Sequence, residues 1–412
     1  MNEFTAAPTL VPTPSPTPTP VPTPTPEPTP SPEPTQAPTA VPVTPSPDEN
    51  DVIDIPLHPV VTGPRSIHFR VTGDIMCSDT LLEYALKAGH GNYYDFTAQF
   101  ADIRDSTSSA DYTIGNLETT IGKYKNRPYS GYPNFNSPET LLDAVKGAGW
   151  DFLTLANNHI LDRWFDGLKL TVNWVEQYGF DFTGAFRTWD EREASKIVEI
   201  NGVKVGFLAY TQDTNNMETN SDQAATQYGV SYLFKANFAS DVAKLRADGA
   251  EVVIALPHWG TEYQSTPDIT EFEYAQKLAD AGVDVILGSH PHVVQMVTTL
   301  TGTRSDGTTH PVFCAHSLGN FIGTQRGQSA TDSGIILDFT LQEQDDGTFT
   351  VENPSYVPIY CWWENDTLKV VKCSDYLTEH PDNMSEAVWI HIIERYNDLA
   401  KLLSKSLTCL AE

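Results

Sequence analysis

Seven polar side chains that could bind a metal or carry a proton each follow an apolar stretch of the sequence. They are Asp74, Glu118, Asn158, His159, His258, His290 and His292. Carboxylates, an amide carbonyl and neutral imidazoles form a mixed nitrogen and oxygen ligand set, which suits Mn, Fe or Zn better than Ca or Mg. Without thiolate ligands, this set does not indicate a structural zinc site. The sequence therefore predicts a divalent metal site.

The stretch "LGSHPH" places His290 and His292 two residues apart, directly after an apolar run. Side chains two residues apart at a strand end point to the same side, so both rings can reach one metal or two neighbouring metals. On its own, this pair could also be a solvated polar loop. Asn158 can offer a carbonyl oxygen, and the adjacent His159 can move protons. Two metals about 4 Å apart would activate a water and hold a phosphoryl oxygen.

Apolar strands and amphipathic helices must position these side chains. The helical stretches "SPETLLDAVKGAGW", "DVAKLRADGA" and "EFEYAQKLADAG" each precede an apolar run that ends in a polar cluster. We predict that the first helix has Ser137 as its N-cap and Pro138 at its first position. This alternation is typical of parallel β-α-β units, in which ligands bind at the C-terminal edge of the strands. The seven side chains follow five predicted strands, so we predict one shared site.

Two departures from this alternation predict antiparallel strands. The stretch "KIVEINGVKVGFLAY" alternates around Asn201-Gly202, which is the signal of a type I′ hairpin. Near the end, "GIILDFTLQ", "GTFTVENPSYVPIYCWW" and "TLKVVKC" are predicted strands, and residues 385–404 are a predicted amphipathic helix. The predicted fold class is therefore α/β: a two-sheet β-sandwich flanked by helices, with mixed parallel and antiparallel strands.

The first 65 residues differ in composition from the rest of the chain. Residues 5–48 repeat Thr-Pro, Val-Pro and Glu-Pro units and contain 17 of the 30 prolines. Because proline fixes φ and lacks an amide donor, residues 1–65 are predicted to be a disordered, polyproline-II-like spacer; an interaction tail is the alternative. Residues 66–330 are the predicted main domain, which residues 331–412 complete. We expect an extracellular, cell-surface protein whose export signal or anchor lies upstream of this sequence.

The composition excludes several classes of protein. With 54 acidic and 25 basic residues the formal net charge is −29, whereas nucleic-acid and anionic-membrane binding require a basic face. No run of 18 apolar residues occurs, so no membrane span is predicted. The five cysteines contain no CxxC pair, which excludes a zinc ribbon. Cys361 and Cys373 could form a disulfide or stay free.

Six motifs, in order along the chain, resemble a known family. They are "VTGDIM", "IGNLET", "LANNHILD", "PHWGTEY", "LGSHPH" and "HSLGNF". In this order they resemble the CapA family of capsule and poly-γ-glutamate synthesis proteins, within the calcineurin-like metallophosphatase superfamily. The resemblance covers about residues 66–325 and implies a metallophosphatase-like fold with a divalent metal site.

The resemblance also implies roles for individual residues. Those matching metal ligands are Asp74, Asn158, His258, His290 and His292, and His159 matches the proton donor. Met76 replaces a metal-binding His, and Asn116 replaces a bridging Asp. We therefore expect one metal position to be intact and the other to have lost ligands. Extra carboxylates that could compensate are Glu118, Asp162 and Glu262, with Asp162 also able to orient the His159 ring.

Two further polar residues, Asn320 and His316, are candidates for contact with substrate or support of the ligands. Three functions remain open. The first is a role in capsule or poly-γ-glutamate biosynthesis at the cell surface, beside membrane-bound synthesis subunits. The second is a metal-dependent hydrolase of a phosphoester or an anionic envelope polymer. The third is a non-catalytic surface binding module.

Overall fold

The computed structural model describes residues 63–325 and 330–410 of the 412-residue chain. The proline-rich segment predicted to be a spacer lies outside the described residues. The strands of the described part are β1 (Ser66–Ile75), β2 (Tyr112–Leu117), β3 (Thr120–Ile121), β4 (Asn136–Ser137), β5 (Phe152–Thr154), β6 (Asp181–Thr183), β7 (Ile197–Ile200), β8 (Val203–Thr211), β9 (Val252–His258), β10 (Val285–Leu287), β11 (Val297–Thr303), β12 (Thr309–Ala315), β13 (Asn320–Ile322), β14 (Ser333–Glu343), β15 (Phe349–Glu364), β16 (Thr367–Lys372) and β17 (Thr408–Cys409). The α-helices are α1 (Asp79–Ala88), α2 (Thr97–Phe100), α3 (Arg104–Thr107), α4 (Thr140–Gly147), α5 (Trp164–Gln177), α6 (Trp189–Glu193), α7 (Phe238–Ala247), α8 (Ile269–Ala281) and α9 (Glu386–Leu403).

The strands form two large sheets and one small ribbon. The first sheet has the order β16-β15-β14-β1-β2-β5-β6, with β13 beside β1 and β17 beside β15, and the second has the order β11-β12-β10-β9-β8-β7. Strands β1, β2, β5 and β6 run parallel, as do β8, β9, β10 and β12. The C-terminal strands β14 to β16 and the pairs β7–β8 and β11–β12 are antiparallel. The predicted α/β class with mixed strands is confirmed.

An apolar core lies between the two sheets because their strands alternate inward and outward side chains. Phe152 of the first sheet stacks on Phe207 of the second with ring centroids 4.4 Å apart, and Phe339 packs on Phe313 at 5.8 Å. Helices cover the outer faces: residues of α1, α4 and α5 share a core with the first sheet, and residues of α7 and α8 share one with the second. The predicted sandwich flanked by helices is therefore observed.

Local signals differ in how well they predicted the elements. The predicted hairpin is β7–β8, with Asn201 and Gly202 at φ values of 49° and 76°, as a type I′ turn requires. The final helix begins after the N-cap Ser385. The prediction for Ser137 is wrong: α4 has Glu139 as its N-cap, and Ser137 lies in β4. Its hydroxyl lies 2.7 Å from that of Thr119, so it is engaged in the β3–β4 ribbon.

Two further expectations concern cysteines and membrane spans. All five cysteines are free thiols, and both Cys361 and Cys373 are buried. Among the helices of the described residues, none combines the length and apolar composition needed to cross a membrane.

Candidate metal centre

The two sheets meet at the edge formed by the C-terminal ends of their parallel strands. His292, after β10, has its Nδ1 atom 3.0 Å from Asp74 Oδ2 at the end of β1. His258, the last residue of β9, has its Nε2 atom 3.1 Å from Asn158 Oδ1 after β5. These contacts join residues far apart in the chain because parallel strands deliver their carboxyl ends to the same edge.

The first candidate metal position consists of Glu118, His258 and His290. All three side chains are buried, and one ligand atom from each lies within 4.8 Å of the others. His290 Nδ1 lies 3.1 Å from His258 Nε2, which in turn lies 3.6 Å from Glu118 Oε1. The Asn158 carbonyl oxygen points at the same His258 nitrogen, so a fourth donor atom, an oxygen, is close to this group.

The second candidate position consists of Asp74, Glu118 and His292, which are also buried and within the same 4.8 Å limit. His292 Nε2 lies 3.8 Å from Glu118 Oε1, the atom that also faces His258. Glu118 is therefore common to both groups, as a carboxylate between two metals would be. From the resemblance to metallophosphatases we expected one metal position to have lost ligands, whereas the structure offers three ligands at each position.

The environment of Glu118 fits a metal ion better than an empty polar cluster. The side chain is fully buried, yet its Oε1 atom has no hydrogen-bond partner among the described residues. Burial, followed by the negative charge of Asp74, holds the pKa of the Glu118 carboxyl well above its usual range. A buried polar atom without a partner costs about 1–3 kcal/mol. A divalent cation would provide the missing partner, and the donor set suits Mn, Fe or Zn.

The histidines of the first position are arranged to be neutral. Burial, and then the nearby His290 and His292, hold the pKa of His258 well below its usual range. Burial, and then His292, lower the pKa of His290 to about 4. A neutral imidazole keeps the lone pair that a metal ligand must offer.

The backbone after β10 is strained where it carries these two ligands. His290 and His292 have φ values of 100° and 60°, in the left-handed region that residues other than glycine rarely adopt. Each such residue costs about 1–3 kcal/mol unless its surroundings enforce the conformation. Gly288 begins this loop, and a Cβ atom there would lie 1.9 Å from the His316 carbonyl oxygen. Close packing beneath the loop thus holds both rings toward Glu118.

A buried His–Asp pair lies beside the two groups without belonging to either. His159 Nδ1 lies 2.7 Å from Asp162 Oδ2, and the same carboxylate oxygen accepts a hydrogen bond from the backbone N–H of Phe135 at 2.6 Å. The Phe135 ring packs edge-on against the imidazole at 4.6 Å between centroids. Asp162 and Phe135 therefore fix the orientation of the His159 ring from two sides. Its Nε2 atom remains available to exchange a proton.

Asn116 supports the carboxylates instead of bridging two metals. Its Nδ2 atom donates to Asp74 Oδ1 at 2.8 Å and to Glu118 Oε2 at 3.3 Å. Sequence reasoning missed two further supports. Asn157 donates to Asn116 Oδ1 at 3.2 Å, and Ser289 Oγ lies 2.8 Å from His258 Nδ1. Both stand next to a predicted ligand, which was the only signal available for them.

The remaining predicted site residues lie at different depths. Asn320 is close to the second position, with Oδ1 3.1 Å from His292 Nδ1. Glu262 is half-buried and belongs to neither group. His316 is fully buried, and its carbonyl oxygen accepts a hydrogen bond from the Trp259 indole. Trp259 is itself fully buried and acts as packing beneath the site.

Comparison with known proteins finds a matching family model and similar proteins in two Bacillus species. The family model described as bacterial capsule synthesis protein PGA_cap matches residues 68–325, more than half of the chain. The chain is 28% identical over 272 residues to the capsule biosynthesis protein CapA of Bacillus anthracis, covering 65% of this chain and 62% of that protein. It is 25% identical over 284 residues to the PGA biosynthesis protein CapA of Bacillus subtilis (strain 168), covering 68% and 69%.

The match thus spans less than two thirds of the length of the B. anthracis protein. Among solved structures, the chain is similar to the calcineurin-like phosphoesterase YfkN of Bacillus subtilis. The TM-score is 0.40 at 17% sequence identity, covering 82% of this chain and 99% of that chain.

Proposed function

Because the chain belongs to the bacterial capsule synthesis protein PGA_cap family, we propose that it acts in the formation of a poly-γ-glutamate capsule as a metal-dependent hydrolase. One observation carries the proposal: Glu118 is buried, lacks a partner for Oε1 among the described residues, and is shared by two groups of metal ligands. The proposed location is the outer cell surface, where membrane-bound synthesis subunits would be its partners.

The proposed metal ions are Mn, Fe or Zn. Glu118, His258 and His290 would hold one ion, with the Asn158 carbonyl beside them, and Asp74, Glu118 and His292 would hold the other. The chemistry that divalent cations supply at such sites is polarisation of the substrate and activation of water. Asn116 keeps both carboxylates oriented toward the site by donating one hydrogen bond to each.

His159 would supply the proton that the leaving group needs. Its Nδ1 atom is held by Asp162, so the opposite ring atom, Nε2, is the one that can donate. In hydrolysis the hydroxyl of water joins the attacked atom and a proton joins the leaving group. His159 gives that proton and regains one from the attacking water, with Asp162 stabilising the charged ring.

The same pair favours catalysis over simple binding. A site that only binds polymer or a partner subunit through metals needs the two ligand groups and nothing more. A fully buried Asp162 aligned on an imidazole outside both groups has a clear use in proton transfer. An accessory, non-catalytic role is the competing proposal, and it requires no His159–Asp162 pair.

The test is hydrolysis by the metal-loaded protein. We would load purified protein with Mn, Fe or Zn and assay a panel of phosphomonoesters, phosphodiesters and γ-glutamyl amides, with chelated protein as the control. The proposal expects turnover of at least one class that chelation abolishes and metal restores. If metal-loaded protein hydrolyses none of them, the accessory role is supported instead.

A further inference from the structure

The chain between β3 and β4 contacts the segment that carries the His159–Asp162 pair. We call this connection, residues 122–135, the strap. Its last residue, Phe135, donates its backbone N–H to Asp162 Oδ2 and packs its ring edge-on against the imidazole. The position of the proton donor therefore depends on where the strap lies.

A second part of the strap packs against the start of α5. Trp164, the first residue of this helix, has a φ of 56°, in the left-handed region that bulky side chains rarely adopt. Such a conformation persists only where its surroundings enforce it. Tyr124 of the strap packs on the Trp164 ring with centroids 6.0 Å apart, and the Arg127 guanidinium lies 4.5 Å from the same centroid. The strap thus stabilises the turn that follows the pair.

Arg163 joins the strap to the pair. Its side chain is buried, with Nη1 donating to the backbone carbonyl of Asp162 at 2.9 Å and Nη2 donating to Ser130 Oγ at 2.5 Å. A guanidinium can make both contacts at once because its donors are held in a rigid fork. One side chain therefore fastens the middle of the strap to the segment that carries the proton donor.

Ser130 passes this contact on to the end of the strap. Its backbone N–H and carbonyl both pair with Asn136, at 3.0 and 2.8 Å, and its hydroxyl donates to the carbonyl of Asn134 at 2.7 Å. These bonds close residues 130–136 into one turn, which contains Phe135. A contact that holds Ser130 therefore also holds the ring that packs on His159.

The charge of Arg163 has a second effect on the pair. Its Nε atom and the Oδ1 atom of Asp162 are both buried and lack a hydrogen-bond partner among the described residues. Burial lowers the pKa of the Arg163 guanidinium, and the nearby negative charge of Asp162 opposes this shift. A buried cation and a buried carboxylate compensate each other when they are close. Arg163 thus balances the Asp162 charge and leaves Oδ2 free to hold His159.

We propose that Arg163 is a positioning residue for proton transfer by His159. Its bond to Ser130 fastens the strap, and the fastened strap holds Phe135 against the imidazole. The inference rests on the proposed function, since it names what keeps that function's proton donor in place. A purely structural role is the alternative: loss of Arg163 would then lower the melting temperature and leave the ring where it is.

The test is the position of the His159 ring, measured by NMR on the full chain with carbon-13 at the histidine Cε1 atoms, after chelation has removed metal. His159→Ala identifies the signal. Phe135→Ala defines the signal of a released ring, because the edge-on contact shifts the resonances of the imidazole. Arg163→Gln and Ser130→Ala should both move the His159 signal toward that value. Ser130→Ala leaves the buried guanidinium in place, so it tests the bond with little risk to folding.

Two further proteins control this measurement. Arg192→Gln removes a guanidinium that also donates to a serine hydroxyl, that of Ser231, but on α6 and outside the strap, so it should keep the parental signal. The double variant Ser130→Ala/Arg163→Gln should move the signal no further than Arg163→Gln alone, because both changes remove the same bond. If Ser130→Ala and Arg163→Gln both keep the parental signal, the proposal is overturned, whatever their stability.

Turnover of the metal-loaded proteins separates this proposal from the hydrolase. Arg163→Gln should lower kcat by at least about tenfold at the parental KM and metal content, because a misplaced proton donor slows only the chemical step. Arg163→Lys should recover part of the loss, since an ammonium can make one of the two bonds. A moved His159 signal in a protein that hydrolyses nothing supports the strap and contradicts the hydrolase. A moved signal with the parental kcat overturns the role of Arg163 in proton transfer.

Discussion

Glu118 occupies the position on which both candidate metal ions depend. The resemblance to metallophosphatases led us to expect a bridging Asp where Asn116 stands. Asn116 and Glu118 are two residues apart, so both face the same side of the strand end. A carboxylate at position 118 therefore reaches the same site that an Asp at position 116 would reach. The amide of Asn116 then donates to Glu118 and Asp74 and cannot itself act as a bridging anion.

Loss of His159 should separate metal binding from catalysis. His159→Ala should keep the parental metal content, because the residue belongs to neither ligand group. Its turnover should fall by at least about 100-fold, the usual contribution of a general acid. Asp162→Asn should show a smaller loss, since it weakens the orientation of a ring that is still present. Metal analysis and steady-state kinetics on the same preparations measure both quantities. A His159→Ala protein that turns over substrate as fast as the parent would contradict the prediction.

A second prediction at the residue scale concerns the pH dependence of stability. Glu271 is fully buried on α8, and burial raises the pKa of its carboxyl from an ordinary 4.5 to about 7. Between these values the folded protein binds more protons than the unfolded chain, so stability is lost as pH rises through about 7. Glu271→Gln removes this titration and, as glutamine, can keep the capping box with Asp268.

Glu271→Gln should therefore be increasingly more stable than the parent as the pH is raised from about 5 to about 8. The relative gain has an upper bound of about 3 kcal/mol. Urea unfolding of both proteins across this pH range measures it. A stability difference that does not change with pH would show that Glu271 ionises normally.

At the scale of elements, the end of β10 is the part that packing constrains most. A Cβ atom at Gly288 would lie 1.9 Å from the His316 carbonyl oxygen and 2.7 Å from Trp259 Nε1. Gly288→Ala should displace the following loop, lower stability by about 1–3 kcal/mol and reduce metal content. Gly147→Ala is the control, because a Cβ atom there meets no atom within 4 Å. Thermal unfolding and elemental analysis check both variants; a Gly288→Ala protein with parental metal content would contradict the role of the loop.

The elements also show what the sequence could predict. The strand ends were predictable because each apolar run stops at a polar cluster, and the β7–β8 hairpin was predictable because Asn201-Gly202 suits one turn type. The β3–β4 ribbon was not predictable, since two-residue strands have no periodic pattern. Ser137 was misassigned because its partner, Thr119, is distant in sequence. The supporting roles of Asn157 and Ser289 depend on contacts with other strands, which no local pattern records.

At the scale of the whole molecule, the sequence predicts that residues 5–48 act as a spacer. Deleting them should leave the melting temperature and the metal content unchanged, because an alternating X-Pro segment has little apolar surface to bury. Differential scanning calorimetry of the full and shortened chains measures this. A large fall in the melting temperature would show that the segment contributes to folding.

The metal content of five proteins, the parent and four variants, tests the central claim most directly. After loading with Mn, Fe or Zn, the parent should hold up to two ions per chain, one for each ligand group. His290→Ala and His292→Ala, which each affect a single group, should lose about half of that metal, and Glu118→Gln, which affects both, should lose nearly all of it. Glu271→Gln, the same change outside both groups, should lose none. A Glu118→Gln protein with the parental metal content, or a parent that binds no metal under any of these conditions, would contradict the shared metal centre.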